Sequence, residues 1–289
     1  MDYQKFNNIF NHIIFCKSNP KADLLINIAK HSERYLGIFR PTKTKTKLLQ
    51  SLLVSREIKF GKAFECLVGK YLKEYKFDTS PDKYEVLLQK ALEIDQLAKK
   101  DNTYYFIEQK MRDDHDSAKK RGQIENFKEK LKLLINRYGE NIKGYFYFID
   151  DCLAKNKKYY EEELQKLSFK YKVPLKLCYG RELFEFLNIP QVWSEILEYL
   201  VQWRETLPDL PSLNFDKYFS ESFEEIKDLP PNIYRKLLDN DEIFENIVLM
   251  LFPKRKVLEM LVEHFRQQDE TIYRQLASKL ANKLSYHSK

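Results

Sequence analysis

The sequence predicts an α/β protein with a mixed β-sheet flanked by helices. Short runs rich in aromatic and β-branched residues, which suit strands, occur in the middle of the chain. Amphipathic stretches with apolar residues at helical spacing lie between most of them. From residue 56 the predicted order is helix, strand, strand, helix, strand, helix, strand, helix. Such alternation favours an α/β core, and a hydrophobic content of 43% can fill it.

Composition argues against several kinds of protein. The 289 residues carry a formal net charge of +7, which fits an anionic partner without proving one. The sequence has no GxxxxGK[ST] or GxGxxG motif for cradling nucleotide phosphates. Its four cysteines form no CxxC pair, so we expect free thiols in a reducing cytoplasm rather than a zinc knuckle. No apolar run approaches the roughly 20 residues that cross a bilayer, so we expect no membrane association.

Two helical regions precede the predicted sheet. The first covers residues 3–55 and is interrupted at Pro41, which is followed by Lys43, Lys45 and Lys47. That stretch is either a basic loop beside a phosphate backbone or a solvated turn. The second, IKFGKAFECLVGKYLKEYKFD at residues 58–78, is strongly amphipathic. We expect Pro81 to prevent its continuation.

Two predicted strands meet at the turn KKDN. Asp95 is expected near the end of the first strand or just after it, and Glu108 and Lys110 at the end of the second, NTYYFIEQKM. Residues two apart in a strand share a face, so Glu108 and Lys110 point one way and Gln109 the other. A hairpin would bring the Asp95 carboxylate beside Glu108.

The remaining segments suggest three regions. RGQIENFKEKLKLLINRYG, YYEEELQKLSFKYK, RELFEFLN and residues 190–205 are predicted helices, while KGYFYFID and PLKLCYG are predicted strands. ETLPDLPSLN has the composition of a linker, and helices follow it. We expect an N-terminal helical segment at 1–55, a core at 56–205 and a C-terminal helical region at 206–289. The last region could complete the core, form a dimer interface or recognise a ligand.

Two carboxylates and a lysine at one sheet edge indicate metal-dependent chemistry. The carboxylates repel each other, and a divalent cation relieves the repulsion. Oxygen ligands without His or Cys suit Mg²⁺ better than zinc. A lysine beside the cation can orient or deprotonate a water and stabilise charge on a phosphate in transition. The sequence thus indicates phosphodiester hydrolysis.

These residues resemble the PD-(D/E)XK nuclease motif. Asp95 in EIDQ is followed by Glu108-Gln109-Lys110, and EQKMRDDHDSAKKRGQ with the later LCYGRELFEFL resembles type II restriction endonucleases. The resemblance covers about residues 56–188, and Ile94 stands where that family has a proline. It implies a restriction-endonuclease-like fold and Mg²⁺-dependent, sequence-specific cleavage of double-stranded DNA that leaves 5′-phosphate ends. It also implies a homodimer, a bacterial or archaeal cytoplasm and a cognate DNA methyltransferase.

Further candidates flank the motif. Asp95 and Glu108 would bind the metal, and Glu65 on the preceding helix is either a third ligand or a solvent-facing charge. Phosphate contacts are expected from Arg112, Lys119, Lys120 and Arg121. Gln123 could read adenine or position a water or phosphate.

The acidic residues of the same loop leave several interpretations open. Asp113, Asp114 and Asp116 could hold the arginines, accept hydrogen bonds from cytosine or be solvated. His115 is a candidate general acid or phosphate contact, or has neither role. Two rival functions also remain: a repair or junction-resolving nuclease with the same core, and a DNA-binding protein whose ion-pair cluster is only structural.

Overall fold

The computed structural model describes residues 1–16, 20–39, 41–79, 93–207 and 212–287. The strands are β1 (Gln96–Lys100), β2 (Thr103–Lys110), β3 (Ile142–Phe148) and β4 (Leu175–Tyr179). The helices in chain order are α1 (Tyr3–Asn11, continued by a π-helical turn at His12–Cys16), α2 (Pro20–Lys30), α3 (Glu33–Leu36), α4 (Thr44–Glu74), α5 (Ser117–Tyr138), α6 (Lys157–Tyr171), α7 (Arg181–Phe186), α8 (Gln191–Glu205), α9 (Phe219–Ile226), α10 (Pro231–Asp239), α11 (Asp241–Ile243, continued by a π-helical turn at Phe244–Val248), α12 (Leu249–Leu251), α13 (Lys256–Arg266) and α14 (Thr271–Tyr286).

The described strands form one mixed sheet in the order β1-β2-β3-β4. β1 and β2 are antiparallel, with Gln96 opposite Ile107 and Lys100 opposite Thr103. The two residues between them, Asp101 and Asn102, have positive φ angles of 49° and 61°, as a tight two-residue hairpin turn requires. β3 and β4 then add in parallel. The predicted α/β class with a mixed sheet is confirmed.

The described residues divide into two compact units, those within 1–10 and 60–207, and those within 11–59 and 208–289. The predicted segments 1–55, 56–205 and 206–289 stay predictions of domain organisation. In the first unit, α5 and α6 supply the apolar residues that cover one face of the sheet. Phe127, Leu131 and Tyr160 pack there with Phe106 and Phe146 of β2 and β3. On the other face, Tyr147 contacts the Phe184 ring of α7 edge-on.

The second unit is helical in its described part. Its core brings together apolar residues from the N-terminal and C-terminal segments, among them Leu25 and Ile28 of α2, Tyr234 of α10, and Leu261 and Phe265 of α13. No helix among the described residues is both long and apolar enough to cross a membrane.

Two predicted boundaries before the sheet differ from the structure. α4 begins at Thr44 and ends at Glu74, so Lys45 and Lys47 lie on a helix, where we expected a loop or turn. Helix propensity explains this difference, because Lys, Leu and Gln in TKTKLLQ favour helix. Pro81 and residues 86–92, the start of the predicted first strand, lie outside the described residues, as do residues 208–211 of the predicted linker.

Candidate active site

The hairpin of β1 and β2 brings Asp95 beside the end of β2. The Asp95 Oδ2 atom accepts a hydrogen bond from the Gln109 backbone N–H at 2.7 Å. Asp95 lies directly before β1, so its expected position near the end of a strand or after it was wrong. The predicted proximity still holds, because antiparallel pairing places the start of β1 beside the end of β2.

Glu108 and Lys110 lie on the same side of β2 and contact each other. The Lys110 ammonium donates to Glu108 Oε1 at 2.6 Å and lies 3.6 Å from Asp95 Oδ2. Burial alone would lower the pKa of Lys110, but the carboxylates of Glu108 and Asp95 together raise it above its ordinary value. The lysine is therefore held as an ammonium between the two carboxylates.

Lys130 of α5 is a cation at this site that our sequence analysis did not identify. Its ammonium donates to Glu108 Oε2 at 2.7 Å, on the carboxylate oxygen that Lys110 does not contact. Both side chains are deeply buried, with 6% of Lys130 and 2% of Glu108 exposed. The sequence carried a usable signal: Lys130 follows Phe127 by three residues and precedes Leu134 by four, and both of these are buried. A charged residue on an apolar helix face needs a buried partner.

Glu65 lies on α4, half-buried. Its backbone carbonyl accepts a hydrogen bond from the Gln96 side chain at 2.5 Å. The pKa of Lys62 is raised, first by its hydrogen bond to Glu93 and then by the charges of Glu65, Glu93 and Asp95. Glu65 and Asp95 thus act on the same lysine. A role for Glu65 as a metal ligand stays a prediction.

The three motif side chains open into a cleft of about 550 Å³. Its lining consists of Glu93, Asp95, Glu108, Lys110, Lys119, Gly122, Gln123, Asn126 and Lys130. Two predicted DNA-binding residues, Lys119 and Gln123, therefore reach the same cleft as the carboxylates. Gln123 Oε1 accepts a hydrogen bond from the Tyr160 hydroxyl at 2.6 Å, which fixes the orientation of its amide.

The other predicted phosphate contacts are placed differently. Lys120 donates to the Asn156 side chain at 3.2 Å and lies 4.6 Å from the centre of the Tyr159 ring. Arg121 is exposed and Arg112 half-buried. The structure thus brings Lys119 and Gln123 to the carboxylates, but does not place Lys120, Arg121 or Arg112 in the lining of the cleft.

The loop carboxylates have structural partners. Asp113 is fully buried and accepts hydrogen bonds from the Asn156 backbone N–H at 2.7 Å, the Asn156 amide at 2.8 Å and the Tyr179 hydroxyl at 2.9 Å. None of the three interpretations offered for it from the sequence describes these contacts. Asp116 caps α5 by accepting from Lys119 N–H at 2.8 Å.

His115 lies 3.3 Å from Asp114 through Nδ1. Burial, followed by the nearby charge of Lys119, lowers its pKa. A neutral imidazole is therefore favoured at neutral pH, which argues against a role as a cationic phosphate contact.

The donor set at the cleft fits a hard divalent cation. Asp95 and Glu108 supply carboxylate oxygens, and none of the described residues that line the cleft is His or Cys. Magnesium prefers such oxygen ligands and keeps several of its waters, for which an open cleft has room. Asp95 and Glu108 are the residues that would hold the cation, with Glu65 as a further candidate.

Residues 82–204 match the family model described as type II restriction endonuclease, HinfI. The match includes Asp95, Glu108, Lys110 and Lys130, but not Glu65. It confirms the resemblance to type II restriction endonucleases recognised from the sequence. No curated protein and no solved structure gives a significant match to the chain.

Proposed function

Starting from its similarity to the type II restriction endonucleases, we propose that the chain cuts double-stranded DNA at a short specific sequence. Cleavage requires Mg²⁺ and leaves a 5′-phosphate and a 3′-hydroxyl. The observation that carries this proposal is the cluster in which Lys110 lies between Glu108 and Asp95 at the lining of an open cleft. Carboxylates and a cation beside a groove are the groups that phosphodiester hydrolysis needs.

Each residue of the cluster has a distinct role in the proposed reaction. Asp95 and Glu108 would hold Mg²⁺, and the bound ion would supply Lewis-acid polarisation of the phosphate and of the attacking water. Lys110 orients the attacking water and stabilises negative charge on the phosphate in transition. The Lys110 ammonium lies against both carboxylates, which places it for this electrostatic role. The Gln109 backbone N–H keeps Asp95 in place.

The DNA backbone approaches through the cleft. Lys119 and Gln123 are in its lining, where an ammonium and an amide can contact phosphate oxygens or a base edge. Arg112, Lys120 and Arg121 are further phosphate contacts in this proposal. Because one such site cuts one strand, a homodimer would cut both strands of a palindromic target. The enzyme would act in the cytoplasm of a bacterial or archaeal host. A methyltransferase of the same sequence specificity would protect that host's own DNA.

The experiment is cleavage of a panel of plasmid and phage DNAs with Mg²⁺ and with EDTA. The wild-type protein should give discrete fragments only with Mg²⁺, and sequencing their ends would reveal the recognition site and the 5′-phosphate. Lys110→Ala should reduce cleavage by about 10²–10³-fold, the usual effect of removing one group that stabilises the transition state. Lys128→Ala is the matched control, since Lys128 pairs with Glu125 on α5 and is not part of the cleft lining.

Other outcomes favour the rival functions. Cleavage confined to branched or damaged DNA would indicate a repair or junction-resolving nuclease. Metal-independent binding with no cleavage of any DNA would make the cluster structural and refute the proposal.

A further inference from the structure

Lys130 donates to the Glu108 carboxylate oxygen that Lys110, the lysine of the recognised motif, does not contact. Lys110 donates to Oε1 and Lys130 to Oε2, at 2.6 and 2.7 Å, so each carboxylate oxygen has its own ammonium. The two lysines reach Glu108 from different elements, β2 and α5. The carboxylate is thereby fixed in its rotation as well as in its position.

The helix explains how a lysine reaches this place. Ile124, Phe127, Leu131 and Leu134 of α5 are buried against the sheet, and Lys130 is buried on the same helix with its ammonium in the cleft lining. A buried ammonium is tolerated because it is hydrogen-bonded to a carboxylate. The fold therefore places the Lys130 ammonium beside Glu108 before any metal binds.

We propose that Lys130 is a positioning residue that fixes Glu108 through Oε2 and restricts each cleft to one divalent cation. The inference rests on the proposed nuclease function. A second cation bound to Oε2 would compete with an ammonium already hydrogen-bonded there and would meet its positive charge. Lys110, whose side chain is 26% exposed, has room to turn away from Oε1 when a cation binds, whereas Lys130, at 6%, does not leave Oε2. Oε1 of Glu108 and the carboxylate of Asp95 are thus left to hold one cation.

The test measures Mn²⁺ binding to the DNA-free protein by calorimetry, together with single-turnover cleavage at saturating Mn²⁺. The wild-type protein should bind one Mn²⁺ per chain. Lys130→Met, which frees Oε2, should bind a second Mn²⁺ per chain and should hold the first about tenfold more tightly, because a nearby positive charge has been removed. The same variant should cleave about 100-fold more slowly, because Glu108 is no longer fixed. Lys130→Arg, which keeps the charge and the donors, should recover most of the wild-type behaviour in both measurements.

If Lys130 had only a structural role, its replacement would lower the Mn²⁺ affinity and the cleavage rate together. Lys128→Met, on the same helix, controls for the loss of a lysine and should match wild type. Two Mn²⁺ per wild-type chain, or parallel losses of Mn²⁺ affinity and activity in Lys130→Met, would overturn the inference. If Lys130→Met does not fold, Lys130→Gln replaces it in both measurements. If either variant folds only when Glu108→Gln is also present, the Lys130–Glu108 pair has a structural role and the inference is overturned.

Failure of the proposed function gives a different result from failure of this inference. In the first case, the wild-type protein itself cuts no DNA. In the second case, the wild-type protein cuts DNA with Mg²⁺, while Lys130→Met matches it in both affinity and rate.

Discussion

Replacing Asp113 with alanine should destabilise the unit that carries the candidate active site. Asp113 follows β2 closely, and its fully buried carboxylate joins the loop before α5 to Asn156 and to Tyr179 at the end of β4. Burial and the hydrogen bond to this carboxylate raise the pKa of the Tyr179 hydroxyl, which keeps the hydroxyl a donor. The variant removes the acceptor and leaves its donors in place.

The size of the effect follows from those three hydrogen bonds. A buried donor left without its acceptor costs about 1–3 kcal/mol. Some of the loss is recovered by relaxation and by water entering the space, so we expect a total of about 3–5 kcal/mol. At about 2–4 °C per kcal/mol for a unit of this size, the unfolding midpoint should fall by about 10 °C. Tyr179→Phe, which removes one of the three bonds, should cost about 1 kcal/mol.

Tryptophan fluorescence during urea or thermal unfolding is the appropriate assay. Both tryptophans, Trp193 and Trp203, lie in the compact unit that contains the sheet, so the signal reports the unit in which Asp113 is buried. Asp114→Ala is the control, because that neighbouring side chain is 47% exposed and its removal should change stability by less than about 0.5 kcal/mol. A loss below about 1 kcal/mol in Asp113→Ala would refute the reasoning.

Two further predictions concern residues near the end of β4. Gly180→Ala should cost about 2 kcal/mol in thermal unfolding, because φ is +46° and the added Cβ would lie 2.5 Å from Asp151 Oδ2. Gly122→Ala in α5, where a Cβ meets nothing within 4 Å, should instead stabilise the protein by about 0.5–1 kcal/mol. Equal changes in stability for the two glycine variants would contradict this prediction. The negative charges of Asp150 and Asp151 raise the pKa of the exposed Cys152 thiol. Asp150→Asn with Asp151→Asn should therefore increase the thiolate fraction and speed alkylation of Cys152 by iodoacetamide at pH 8 several-fold, as measured by peptide mass spectrometry. Cys178, which is buried, should stay unlabelled in both proteins, and an unchanged Cys152 rate would contradict the electrostatic cause.

The local pattern predicted the sheet and the motif edge well. Asp101 and Asn102 tolerate the positive φ angles that a two-residue hairpin needs. The two-residue period of a strand placed Glu108 and Lys110 on one face, where they are hydrogen-bonded. The position of Asp95 before β1 was missed, because strand limits depend on pairing partners that local composition does not identify. The β1–β2 hairpin nevertheless places Asp95 beside Glu108, as expected.

The contributions of Asp113 and Lys130 depend on distant partners. Asp113, Asp114 and Asp116 occur in one acidic run, and nothing local distinguishes the buried carboxylate from its neighbours. The partners of Asp113 lie 43 and 66 residues further along the chain. Lys130 and Glu108 are 22 residues apart, and only the packing of α5 on the sheet brings them together. The helical spacing carried a signal that Lys130 is buried, which our sequence analysis did not use, and that signal does not identify the partner.

The most direct test of the proposed nuclease is end-mapping of DNA cut by the wild-type protein, Lys110→Ala and Lys128→Ala, each with Mg²⁺ and with EDTA. The account predicts cuts at one short sequence on both strands, with 5′-phosphate ends, for the wild-type protein and Lys128→Ala in Mg²⁺ alone. It also predicts that the rate of those cuts falls by about 10²–10³-fold in Lys110→Ala. Cutting at the wild-type rate in Lys110→Ala, or any cutting in EDTA, would contradict the assigned roles of Asp95, Glu108 and Lys110. The absence of any cut with the folded wild-type protein would contradict the proposed function.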